Sequence, residues 1–525
     1  MKFRRREDLS KEVRSKISLE GFQRKGEYGA MIKISREYQI SRTFLYQLVS
    51  IFEQVLWTSF GFIEQTKRST RQCTIQMIFL LRLSGRSSLQ GISEILRQTG
   101  SKNSSVGYIS EVLTKAGKLL PSTLSCHEEV RVFYLSDEIF ANGQPVLVTV
   151  EPKSGSILKV DLAENRDATT WKAHFEDLSH SGFSCKGMCS DRGIGLVKGF
   201  QLFQEGGIWI CDFFHEFSDL YQRYYQLEQI AYHWIGKEEE YWNLSQEAKR
   251  VTTREKYQQK WEEAVQECKE KIEKVDLFQE ILFMLQESLR FCTSKGMIRP
   301  PTQVREELLL LFEFLEEVQD HKVSLFLHSL KKHLHDILVP FTLAWEAHQR
   351  MNSLCHENTA SFLYLAWQNQ HLAWQRKGKA QKRLREEATF LLEIAESLLG
   401  KDFERIQQQV FEELDTLVRA SSLVENANSC FRAFFNQMKG QVTPEMLHLV
   451  MFYYNHRVIQ SGKRKGKAPI EILTGKPLEK TWDEILVDLV KSKDQEQKQN
   501  QVIHLKNQKD RKSHAVSSDL LRNVA

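Results

Sequence analysis

Between Asp212 and Ala420 the chain is almost free of helix breakers: the only prolines there are Pro300, Pro301 and Pro340, and the only glycines Gly236, Gly296, Gly378 and Gly400. The rest of the segment is rich in Glu, Lys, Gln and Leu, which lose little rotamer freedom in a helix. A large all-helical body is expected, interrupted by turns such as "SKGMIRPPT". Within it Trp261, Val265, Cys268, Ile272 and Val275 alternate steps of four and three, the seam of a long helix packed on another. An antiparallel partner in the same chain is the plainer expectation, and a dimeric coiled coil the alternative.

At 525 residues the chain is long enough for roughly two to four units with their own cores. Hydrophobic residues make up 41% and charged residues 27%, the balance of a soluble globular protein. Because 73 basic residues face 68 acidic ones, a nucleic-acid role has to rest on where the basic residues lie. Nine cysteines without repeating spacing, and an opening "MKFRRRED" without an apolar signal segment, point to a reducing, cytoplasmic setting without disulfides. The longest apolar run, near Ile75 to Leu81, is broken by Arg82 and is far too short to span a membrane.

Ahead of the helical body, residues 130–212 read as strands and helices in alternation. "VRVFYLS" is a β-rich run ending at Asp137, and "PVLVTVEP" and "SILKVDL" flank the turn "KSGS". A helix follows, capped by Asn165 or Asp167 and closed by Gly182. Then come a short strand ending at Asp191, a helix over "RGIGLVKGFQLF", and the strand "GIWIC" ending at Asp212. Strand, strand, strand, helix, strand, helix, strand implies three antiparallel strands extended by parallel crossovers, with helices on the faces.

The first 120 residues are helical and basic. In "MIKISREYQISRTFLYQLV" one helix ends near Tyr38, Ile40 lies in a turn and Ser41 caps a second helix, with Ile40 and Leu45 at the positions of a hydrophobic staple. The second helix would expose Arg42, Thr43, Tyr46 and Gln47, types suited to phosphate and base contacts, as in a helix-turn-helix. "SSLQGISEILRQTG" followed by "NSSVGYISEVLTKAG" could repeat the arrangement.

Near the other end, "SSLVENANSCFRAFF" carries Glu425, Asn428 and Arg432 three and seven residues apart, on one face of a helix. Val424, Cys430, Phe431, Phe434 and Phe435 form the opposite, core-like face. Asp137 and Asp191 each fall at the end of an expected strand, where open sheets gather catalytic groups. Two carboxylates there repel unless a cation lies between them, and magnesium suits such an oxygen site. Asp212 ends a strand too and is a rival third acid. Cys185, Cys189 and Cys211 lack a second pair at zinc spacing and read as core.

This order, with one Asp after the first strand, another after the fourth and "VENANSCFR" later, resembles the ribonuclease-H-like fold of DDE transposases from bacterial insertion sequences. The last motif is similar to the family's Glu-x-x-Asn-x-x-x-Arg helix. Mutator-like and related members also carry a helical insertion before the catalytic Glu, and a Cys or Asp, two residues, then His after the fifth strand. "CDFFH" supplies Asp212 and His215 at that spacing, and "YYNHRVIQSGKRKGKAPIEILTG" is similar to the closing segment of many such transposases.

The resemblance implies an α/β core with a mixed five-stranded sheet in residues 126–212 and 421–480. It also implies a helical DNA-binding region in 1–125, an all-α insertion in 213–420, and a helix with a basic, partly disordered tail in 481–525. Asp137, Asp191 and Glu425 would hold two Mg2+ ions, Mn2+ substituting, with Asn428, Asp212 and His215 as auxiliaries. Arg432 and the cluster Lys463, Arg464, Lys465 and Lys467 would contact DNA. The implied protein is a nucleoid-associated homodimer or higher oligomer that binds element ends on double-stranded DNA. It would hydrolyse the phosphodiester and join the 3′ hydroxyl to target DNA. The alternative is a metal-dependent nuclease, or a transposase-derived DNA-binding protein, without strand transfer.

Overall fold

The computed structural model describes residues 9–65, 70–101, 103–418, 422–438 and 441–493. By their own contacts they divide into two compact units, one within Met1–Ile78 and Leu96–Asn103, the other within Phe79–Ile95 and Ser104–Ala525.

The first unit is built on α1 (Lys11–Gln23), α2 (Ala30–Glu37), α3 (Arg42–Gln65) and α4 (Thr70–Phe79). Between α2 and α3 the chain turns through Gln39, whose φ is 49°, and Ser41 Oγ accepts the Phe44 amide at 3.1 Å to cap α3. Ile40 and Leu45 are buried with Ile17, Ile34 and Val49, so the apolar pair around the cap fixes the angle between the two helices. Arg42, Thr43, Tyr46 and Gln47 face solvent. Next come α5 (Leu89–Gln98) and α6 (Val106–Lys118), the latter in the second unit.

The second unit is mixed α/β. Its sheet contains β1 (Val130–Ala141), β2 (Gln144–Val150), β3 (Ile157–Leu162), β4 (Phe183–Ser190) and β5 (Trp209–Cys211) in the order β3-β2-β1-β4-β5. β1 to β3 pair antiparallel, and β4 and β5 add in parallel. The crossovers are α7 (Ala168–His180) and α8 (Ile194–Phe203). Tyr134, Leu147, Trp171, Phe175, Met188 and Phe200 fill the layer between sheet and helices. Asp167 caps α7 by accepting the Thr170 amide at 2.8 Å, which settles the choice left open with Asn165.

One strand is longer than the sequence suggests. β1 does not stop at Asp137: its pairing with β4 ends at Leu135↔Cys189, but its pairing with β2 runs on to Ala141↔Gln144. Asn142 and Gly143 then make the hairpin turn with φ of 50° and 85°, the positive pair a tight two-residue hairpin needs. Asp137 is therefore a residue of the strand itself, just past the point where β4 leaves it.

The breaker-poor segment folds as α9 (Phe213–Glu247), α10 (Val251–Ser288), α11 (Pro301–Glu317), α12 (His321–Lys332), α13 (Leu334–Met351), α14 (Glu357–Gln375), α15 (Gly378–Leu399) and α16 (Phe403–Leu414). α9 and α10 form a long antiparallel hairpin, with Trp242 against Trp261 at 5.0 Å between ring centroids. The partner of the α10 seam thus lies in the same chain. The buried stripe runs through Ala264, Cys268, Val275 and Phe278, while Ile272 stands on its exposed rim.

The chain then returns to the sheet as α17 (Ser422–Gln437), α18 (Pro444–His456) and α19 (Pro469–Thr474), followed by a helix over residues 482–493. α17 packs on β1 and β2, burying Val424, Cys430, Phe431, Phe434 and Phe435. α18 closes the β3 edge: Asn455 accepts the Ile157 amide and donates to the Ile157 carbonyl, both at 2.8 Å. A side-chain amide so stands in for a missing strand. α6 packs on α18, and Gly117 allows it, since a Cβ there would lie 2.2 Å from the Glu445 carbonyl oxygen. Ser421 and residues 494–525, which include most of the expected tail, lie outside the described residues. Among the described residues no helix is long and apolar enough to cross a membrane.

Candidate active site

Three carboxylates from distant parts of the chain come near one another, close enough for Asp191 and Glu425 to act on Asp137 through their charges. Asp137 comes from the freed half of β1, Asp191 from the residue after β4, and Glu425 from the first turn of α17. Each is held differently. Asp137 Oδ1 accepts the Glu138 amide at 2.8 Å and Oδ2 accepts Nδ2 of Asn428 at 2.6 Å. Asp191 Oδ1 accepts the Gly193 amide at 2.9 Å. Glu425 lies 3.5 Å from His215 Nε2 on one side and 3.6 Å from Arg432 Nη1 on the other.

Their charges act on one another. Burial first, then the carboxylates of Asp191, Glu425 and Glu138, push the Asp137 carboxyl up to about 7, against the opposing pull of the Glu138 amide. Asn428 is fully buried and its Oδ1 has no hydrogen-bond partner, which leaves an orphaned oxygen beside this acidic group. Among the described residues no group of three or more His, Cys, Asp or Glu side chains stands so that it could hold a metal ion.

Asp212 plays a different part. It is buried at the start of α9, where its Oδ1 accepts the Phe214 amide at 2.7 Å, a helix cap. Its neighbour His215, three residues on, is the one that reaches Glu425.

No protein-family model matches the chain, and no curated protein resembles it significantly. The site's reading therefore rests on its own geometry.

The basic loop before α19 is partly occupied within the molecule. Lys463 pairs with Asp415 at 3.0 Å, and Arg464 is turned inward, its Nε donating to the Lys153 carbonyl at 2.9 Å. Burial lowers the Arg464 pKa. Lys465 and Lys467 remain exposed. Of the three cysteines on the strands, Cys189 and Cys211 are buried and Cys185 half-buried, and burial raises all three thiol pKa values, which leaves them packing groups.

Several polar residues near the site escaped sequence reading. Arg166 pairs with Glu138, next to Asp137. Beneath β1, Ser136, Thr149, His174 and Asp161 form a buried hydrogen-bonded chain, with links of 2.9, 2.9 and 2.7 Å. Ser136 and Thr149 are cross-strand partners, so the chain fastens β1 to β2 beside Asp137. Arg192, adjacent to Asp191, reaches two carboxylates of the helical body. Only the position of Arg192 next to a strand-end aspartate offered any signal in sequence.

Proposed function

We propose that the second unit is a ribonuclease-H-like catalytic core and the chain a DDE transposase acting on double-stranded DNA. The observation that carries this reading is the meeting of Asp137, Asp191 and Glu425 across a helical body inserted between β5 and α17. A mixed sheet with two aspartates at adjacent strands and a glutamate on a returning helix is the arrangement that the resemblance implies.

By donor type the residues present suit a divalent metal, although as they stand they are not gathered into a group that holds one. Three carboxylates are hard oxygen donors, their mutual repulsion is what a cation relieves, and the orphaned Asn428 Oδ1 is a further buried oxygen at the same place. Asp137, Asp191 and Glu425 would hold Mg2+, or Mn2+ in its place. When bound, two such ions activate the attacking oxygen and stabilise the leaving oxygen of a phosphodiester.

The chain's own residues then orient. Asn428 fixes the rotamer of Asp137, the Gly193 amide fixes Asp191, and His215 sets the position of Glu425. Water attacks first and frees a 3′ hydroxyl at the element end, and that hydroxyl attacks target DNA at the same site. Arg42, Thr43, Tyr46 and Gln47 would read the element end, with Arg432, Lys465 and Lys467 on the backbone. Both ends of an element need a site, which calls for a homodimer or higher oligomer on DNA.

Incubating the chain and Mg2+ with pre-cut element ends and a supercoiled plasmid tests this. Joined products support the transposase. Cutting without joining supports the nuclease reading, and binding without either supports a DNA-binding protein.

A further inference from the structure

We infer that Arg192 is a positioning residue that holds Asp191 and Glu425 in one frame. The inference rests on the metal-site reading above. Arg192 follows Asp191 at the end of β4, and its side chain leaves the sheet for the helical body. Nε donates to Glu216 Oε1 on α9 at 2.5 Å, and Nη1 donates to Asp336 Oδ2 on α13 at 2.8 Å. The guanidinium lies 5.1 Å from the Trp209 ring centroid, and the Trp209 indole donates to Ser190 Oγ at 3.1 Å. The residues on both sides of Asp191 are therefore clamped by groups from β5, α9 and α13.

The sequence neighbours of these partners complete the frame. Glu216 is next to His215, and His215 lies 3.5 Å from Glu425. One ion pair, Arg192 to Glu216, so ties the turn that carries Asp191 to the turn that contacts Glu425. Glu216 is about nine-tenths buried, and two carboxylates could not share this half-buried spot without the cation between them. A planar guanidinium meets the two with separate N–H groups in a fixed fork, a geometry that a lysine ammonium does not impose. The helical body is thereby part of the site: it sets where one acid stands relative to another, and touches no reacting atom through Arg192.

The test uses the purified full-length chain and Mn2+ alone, with bound metal read from the loss of the free-ion electron paramagnetic resonance signal. Circular dichroism and thermal melting follow the fold. Arg192→Gln is expected to weaken Mn2+ binding about tenfold or more, as loss of an orienting partner does at metal sites, and Arg192→Lys to recover part of it. Asp336→Asn, on the far side of the clamp, is expected to give a smaller loss in the same direction. Arg223→Gln breaks the comparable Arg223 to Asp320 pair within the helical body, and is expected to lower the melting temperature with Mn2+ affinity unchanged.

Parent-like Mn2+ affinity in folded Arg192→Gln overturns the inference. If that variant does not fold, parent-like affinity in Asp336→Asn overturns it instead. An equal loss in Arg223→Gln also overturns it, by showing that general destabilisation is enough. A parent chain that binds no Mn2+ overturns the metal reading itself, and this inference with it.

Discussion

Asn428 donates its side-chain amide to Asp137 across 291 residues of chain, at 2.6 Å. Both groups are held where α17 lies on β1, so the fold brings the returning helix and the first strand into register at the level of the acids. The bond uses the one amide nitrogen available and leaves the amide oxygen buried without a partner. Of the polar stripe on α17, Asn428 is thus buried against the sheet beside the apolar face, while Glu425 and Arg432 stay partly exposed.

Asn428→Asp replaces a donor by a fourth carboxylate. In the metal-free chain near neutral pH it should cost roughly 3 kcal/mol, the scale of an uncompensated buried charge, and Mg2+ should restore much of it. Thermal melts of parent and variant with and without Mg2+ read this directly. Equal melting temperatures in metal-free buffer would show that position 428 does not face the acids.

The Asp161–His174 pair gives stability a pH dependence. Burial lowers the His174 pKa below the ordinary 6.5, so the unfolded chain binds the extra proton first as pH falls. The His174 contribution to stability should drop as pH falls through 6.5 and level off below the folded value. Asp161 is held below its ordinary 3.8, despite burial, by His174 and Lys159, so its contribution is present above 3.8 and is lost at more acid pH. Asp137, held up to about 7, adds stability as pH falls over the same range in parent and variant alike, so the His174 step is read as a difference: between pH 7.5 and 5.5 in urea melts, the parent should lose stability relative to His174→Gln. His174→Gln should be less stable throughout, with that step flattened.

The helix-turn-helix reading makes a prediction about salt and sequence. Arg42→Ala and Gln47→Ala should each weaken binding to element-end DNA by roughly 1 to 3 kcal/mol, with little effect on random duplex. Lys467→Ala should weaken both equally and reduce the salt dependence. Filter binding at several salt concentrations separates these outcomes.

Gly195 on α8 packs against the turn that leads into α7. A Cβ there would stand 2.0 Å from the Arg166 carbonyl oxygen. Gly195→Ala should therefore destabilise by about 1 to 3 kcal/mol, the usual cost of overpacking, and should disturb the Arg166–Glu138 pair beside Asp137. Urea denaturation measures the first effect.

Much of the architecture was legible in sequence because local signals agreed with the tertiary outcome. The β-rich runs and their turns give the order of the mixed sheet, and the missing breakers give the helices from Phe213 onward. β1 continues past Asp137 through "EIFA" to the Asn142-Gly143 turn, whereas the β-rich run read from sequence ends at Asp137. What lay beyond reach was pairing at long range. Arg192 finds partners 24 and 144 residues away. Lys463 and Arg464, basic in a basic loop, turn to Asp415 and to the Lys153 carbonyl. Composition cannot distinguish such residues from neighbours left in solvent.

The central claim is that Glu425, with Asp137 and Asp191, forms the metal-dependent cutting site, and that Asp212 is a helix cap. Mg2+-dependent cleavage of element-end DNA by Glu425→Gln and Asp212→Asn, each checked for fold and DNA binding, tests it most directly. Glu425→Gln keeps the side-chain shape and removes the charge that holds a hard cation, so cleavage should fall below detection. Asp212→Asn can still accept the Phe214 amide, and should retain cleavage within about tenfold of the parent, acting only through the placement of His215. Near-parent cleavage by Glu425→Gln together with its abolition in Asp212→Asn would contradict the account.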